Sequence, residues 1–97
     1  MSKYMLLYVG PPTPPDASHE AWPGWFAKLG ERLVDRGSPL GNRVAVRSDG
    51  STATGAVRVN GYSIIEAEDL GDALRHVKDH PYLAAGPDYT VEVCALP

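Results

Sequence analysis

Tyr4-Met5-Leu6-Leu7-Tyr8-Val9 is apolar on both sides. In an extended chain Tyr4, Leu6 and Tyr8 point one way and Met5, Leu7 and Val9 the other. A strand built like that expects cover on both of its faces. Tyr62 to Ala67 reads the same way, with Ile64 and Ile65 on opposite faces. Segments of helical period follow each of these strands, and the whole order reads β-α-β-β-α-β. The usual solution to that order is an α+β, ferredoxin-like sandwich. It has a four-stranded antiparallel sheet, two helices on one face, and the first and third strands in the middle. Two helices cover one face only. The simplest cover for the other is the same face of a second chain, which a two-fold homodimer supplies.

Working outward, Gly10-Pro11-Pro12-Thr13-Pro14-Pro15 ends the first strand, because proline removes ladder donors and fixes φ. Trp22, Trp25, Phe26, Leu29 and Leu33 recur at i, i+3, i+4, i+7 and i+11, the period of an amphipathic helix. Pro23 fits the first turn of that helix after Ala21 or Trp22; a short turn from Asp16 to Ala21 is the alternative entry. Gly37 and then Pro39 are expected to stop it. Asn42 to Ser48 alternates Val44 and Val46 with Ala45 and Arg47, as a half-exposed strand does, and Asp49-Gly50 signals a turn. Ser51 to Asn60 is small, polar and irregular, with room for one short strand. Asp69 reads as the N-cap of a helix carrying Leu70, Ala73, Leu74 and Val77, with Asp72 facing its positive end. Pro81 ends that helix, and Tyr89 to Leu96 is the last strand.

Ninety-seven residues make a single domain, 1–97. A chain of this size buries only about two-thirds of its unfolded surface, so its core is thin. Charged residues make up 22% and the net charge is −3, with the arginines interleaved among acids. That pattern offers no basic stripe for a phosphate backbone, so no nucleic-acid partner is expected. No apolar run is long enough for a membrane span, and Met1-Ser2-Lys3 leads straight into a strand pattern without a leader's apolar core, so the expected compartment is the cytoplasm. Cys94, the one cysteine, reads as a small buried apolar residue within the last strand.

Several segments resemble the YCII-related, or DGPF, proteins. Asp49-Gly50 followed by Gly61-Tyr62-Ser63-Ile64-Ile65-Glu66-Ala67 keeps the spacing of that family's DGPF turn and GGYY-type strand start. Ser51-Thr52 stand where the family has Pro-Phe. His80-Pro81-Tyr82-Leu83-Ala84-Ala85-Gly86 is similar to the family's D-P-Y-x-x-A-G segment, and Lys3 to Tyr8 to its first strand. The resemblance implies a dimeric α/β barrel. Some members carry a His-Asp dyad proposed for acid-base work. The aspartate would match Asp35, in Asp35-Arg36-Gly37, whereas the histidine, eleven residues before that glycine, would fall on Phe26, which moves no proton.

The remaining chemistry rests on a few side chains. His19, beside Ser18 and Glu20, is the candidate to replace the missing dyad histidine, with Asp35 as its partner; plain exposure is the alternative for His19, and pairing with Arg32 or Arg36 the alternative for Asp35. His76 and His80 are one helical turn apart with Asp79 adjoining, but no third ligand is placed by sequence, and no metal or other cofactor is expected. The bland reading puts His76 on the solvated face and His80 at the helix C-terminus. Tyr4, Tyr8 and Tyr62, with Trp22, Trp25 and Phe26, are the candidate lining of an aromatic pocket between sheet and helix, His80 being added as a ligand contact. Two functions follow. One is a homodimer that binds a small metabolite without reacting it. The other is an acid-base enzyme acting on a small aromatic or carbonyl-bearing metabolite through Asp35 and a histidine. The absent dyad histidine favours the first.

Overall fold

Strand β1 spans Ser2–Val9 and pairs on both sides, antiparallel, with β5 (Val59–Ala67) and β6 (Thr90–Leu96). The computed structural model describes residues 1–12 and 21–97. Helix α1 (Trp22–Leu29) comes next, then a 3-10 turn (Gly30–Arg32) and strand β2 (Leu33–Pro39). Strands β3 (Val44–Val46) and β4 (Thr52–Thr54) lie between β2 and β5. Helix α2 (Leu70–Val77) and a second 3-10 turn (Pro81–Ala85) lead into β6. The main sheet is antiparallel with the order β2-β5-β1-β6, which places the two doubly apolar strands at its centre.

The helix-side face of the sheet carries the core. Tyr4, Leu6, Tyr8, Ile65 and Ala67 are buried there against Trp25, Phe26 and Leu29 of α1 and Ala73 and Val77 of α2. Val91 and Val93 complete it from β6, so their neighbours Glu92 and Cys94 face away. On that opposite face Ile64 pairs across to Met5 and Met5 to Cys94, while Tyr62 pairs to Leu7 and Leu7 to Glu92. Met5, Leu7, Tyr62, Ile64 and Cys94 stay half-buried, so the strip is apolar, and among the described residues no helix lies over it. Cys94 is therefore a half-buried residue of the open face and not a core residue. Leu70 and Leu74 of α2 are exposed, so its apolar stripe is only partly used.

Two expectations about elements are corrected. The first helix does not run to Gly37. It ends at Gly30, whose φ of 56° lies in the left-handed region that side chains disfavour. Leu33, placed on the helix by its period, is instead the first residue of β2, in register with Ile65 and packed on the core. The second strand of the main sheet is thus Leu33–Pro39 and not Asn42–Ser48. Pro39 is tolerated because β2 is an edge strand. Val44–Val46 is a strand, but it pairs with Thr52–Thr54 in a separate two-stranded ribbon. Asp69 caps α2 as expected, its carboxylate accepting from the Asp72 N–H at 2.8 Å.

Candidate functional site

His80 is the first residue to follow, because it lies deep in the fold. It sits just ahead of the second 3-10 turn, and the Tyr82 N–H donates to its Nδ1 at 3.0 Å. With Nδ1 accepting, the neutral ring carries its proton on Nε2, which donates to the Tyr8 hydroxyl at 3.0 Å. Tyr8 donates to Ser63 Oγ at 2.6 Å, and Ser63 donates to the Arg36 carbonyl at 2.7 Å. Four groups thus form one directional chain from β6's approach, through both central strands, to the edge strand β2. His80 is 2% exposed and Ser63 fully buried.

Rings close around this chain. The centroids of Trp25, Trp22 and Tyr8 lie 4.1, 4.7 and 4.8 Å from that of His80. Trp25 is fixed by its own Nε1–H, which reaches the His76 carbonyl at 3.2 Å and Asp79 Oδ1 at 3.3 Å, docking α1 on the end of α2. Asn60 Nδ2 donates to the Pro11 carbonyl at 2.8 Å and to the Tyr82 hydroxyl at 2.9 Å, tying the end of β1 to the same cluster.

Burial sets the protonation states. It pushes the His80 imidazole down to about 4, with only partial opposition from the Asp79 carboxylate. It pushes the Tyr8 phenol up to about 12, against the lowering effect of its bond to Ser63. Both groups are neutral near pH 7. A neutral chain whose every side-chain proton is donated, and which ends on a backbone carbonyl, ties the three strands β1, β5 and β2 to the segment after α2. It offers no free base to a substrate.

A second polar cluster lies at the start of α2. Asp72 accepts from the Glu68 N–H at 3.0 Å and from Arg32 at 3.1 Å, with Arg75 and His76 each 3.4 Å away. The Glu68 N–H, followed by Arg32, His76 and Arg75, holds its carboxyl below the usual range, outweighing desolvation. Arg32 also meets His76 Nε2. His76 is therefore half-buried and engaged, not free on the solvated face.

The other expected site residues scatter. Asp35 is on β2, not at a helix end, and is exposed; its carboxylate accepts from the Gly37 N–H at 2.8 Å and pairs with neither Arg32 nor Arg36. Tyr4, Tyr8, Phe26 and His80 share the helix-side core, Phe26 under the Arg36 guanidinium at 5.0 Å. Tyr62 does not join them: it lies on the open face opposite Leu7. His19 falls outside the described residues. Among the described residues no group of histidine, cysteine and carboxylate side chains converges as a metal site, and no helix is long and apolar enough to cross a membrane. The Tyr8–Ser63 link escaped sequence reading. A serine alone in an apolar strand, in register with Leu6 and so on the same sheet face as Tyr8 two residues along, is the signal that marks it.

Comparison with known protein families, curated proteins and solved structures gives no match.

Proposed function

We propose that the chain works as a homodimeric binding module of the YCII-like type, its two sheets packed face to face as in a dimeric α/β barrel. One observation carries this: the apolar strip of Met5, Leu7, Tyr62, Ile64 and Cys94 on the face that no helix covers. Sheets pack face to face about 10 Å apart with interdigitating side chains, and this strip suits that. A two-fold operation brings the strip against itself and needs no other partner.

A binding role is favoured over acid-base catalysis by the state of the titratable groups. His80 is saturated and neutral, His76 is held by Asp72 and Arg32, and Asp35 caps its own turn. A small metabolite would meet the protein beside Trp22 and Phe26, where Arg36 supplies a cation, because Tyr8 and His80 fill the space deeper in.

Sedimentation equilibrium tests the dimer. The full chain is expected to sediment as twice its 10.4 kDa mass at micromolar concentration, and Ile64→Asp is expected to give a monomer with unchanged far-ultraviolet dichroism. A wild-type particle of 10.4 kDa would overturn the reading.

A further inference from the structure

The β3–β4 ribbon is built as if for another molecule. It extends the β2–β5 hairpin beyond the main sheet, and neither of its strands packs appreciably on a helix or on that sheet. Two three-residue strands are too short to be stable by themselves in water. Val44 and Val46 share one side of the ribbon with Thr54 and Thr52 and are 67% and 72% exposed. At the root, Leu40 and Val57 line a shallow, mostly apolar groove of about 380 Å³.

Charge points to the occupant. The segment 40–58 holds Arg43, Arg47 and Arg58 against Asp49 alone. None of those arginines makes an ion pair among the described residues: Arg43 donates to the Val57 carbonyl, and Arg47 to Ser51 and the Thr52 carbonyl. The open sheet face has the opposite balance. Asp35, Glu66 and Glu92 border its apolar strip, with the cation Lys3 opposite Glu66, and among the described residues none of these is in an ion pair either. All the ion pairs of the described residues lie on the helix side. An apolar ribbon carrying an excess of cations and an apolar face carrying an excess of anions thus stand unpaired on one chain.

We infer that the β3–β4 ribbon is an arm that reaches past the face-to-face sheets to the border of a second copy, its arginines toward the partner's acidic residues there. This rests on the homodimer reading and adds to it which segment reaches across. Two-fold symmetry repeats the contact, so each chain gives one arm and receives one. Such an interface is salt-sensitive, since its rim charges lie near solvent.

Sedimentation of the full chain at low salt separates the arm from the dimer. The variant R47E/R58E is expected to self-associate about tenfold more weakly than wild type, and adding E66K/E92K is expected to bring it back to within about threefold. A dimer unmoved by R47E/R58E, or a loss that the second pair does not reverse, overturns the arm and leaves the dimer standing. A wild-type monomer overturns the dimer and the arm with it. Amide exchange on the unaltered chain guards against misfolded variants. Amides of Val44–Val46 and Thr52–Thr54 are expected to exchange about fivefold more slowly at concentrations where the dimer forms. Unchanged exchange there, while Met5 and Leu7 become protected, overturns the arm.

Discussion

His80 shows what one buried side chain costs and supplies. Its Nδ1 faces the Tyr82 N–H, so a second proton on the ring would set two donors against each other inside the core. Desolvation by burial lowers its folded value to about 4, against an ordinary 6.5, with the Asp79 carboxylate opposing it in part. The unfolded chain therefore binds the proton first as acid is added. The contribution is whole above pH 6.5 and drains away as pH falls toward 4, the loss totalling about 3 kcal/mol below that window. Urea denaturation across this range is expected to show that loss, and the His80 ring signals in NMR are expected to stay those of a neutral imidazole until near the bottom of it. An imidazole that titrates near 6.5 would remove the chain of bonds to Tyr8 from the account. The same logic reverses for Tyr8: its raised value means that stability falls as pH climbs from 10 to about 12.

At the scale of elements the edge strand β2 is held by Gly37. Its φ is 77°, and a Cβ there would stand 1.6 Å from the Tyr62 carbonyl oxygen of the neighbouring strand. The clash is with backbone, which cannot swing aside. Gly37→Ala is expected to lose about 3 kcal/mol or more by urea denaturation, against about 1 kcal/mol for removing the α2 cap with Asp69→Ala. Equal losses would mean that β2 can shift off β5 cheaply. This strand is also where sequence reading was weakest. Leu33-Val34-Asp35-Arg36-Gly37-Ser38-Pro39 contains glycine, proline and aspartate, all depleted in strands, because an edge strand with two register shifts can accept them. Leu33 matched the helical period by coincidence of spacing, and Gly30 was the stop signal that outweighed it. Val44 and Val46 alternated as a strand should, but alternation says nothing about which strand will pair. β1 and β5 were legible because both faces of each are apolar, a pattern that only the middle of a sheet demands. The site was less legible: Tyr8 and His80 stood out by residue type, while the bond between them and its continuation from Tyr8 to Ser63 depend on register.

The whole molecule is thin, with principal extents of 43 × 34 × 21 Å. The shortest of these is close to one sheet plus one layer of helices, so among the described residues the sheet's far side is an outer surface. In the proposed homodimer, burying that side against a second copy would couple folding to association, and mass action would then set the apparent stability. The melting temperature of the wild-type chain is expected to rise by about 3 °C for each tenfold increase in concentration, given the unfolding entropy of two chains of this length. Ile64→Asp puts a carboxylate at the centre of the strip, where desolvating it would cost more than the contact returns. That variant should melt lower than wild type and at a temperature independent of concentration. A wild-type melt equally independent of concentration would mean that the chain folds as a monomer and that the strip is covered by something other than itself. A wild-type melt that moves with concentration while Ile64→Asp moves in parallel would place the association elsewhere, with the exposed Leu70 and Leu74 of α2 the next surface to test.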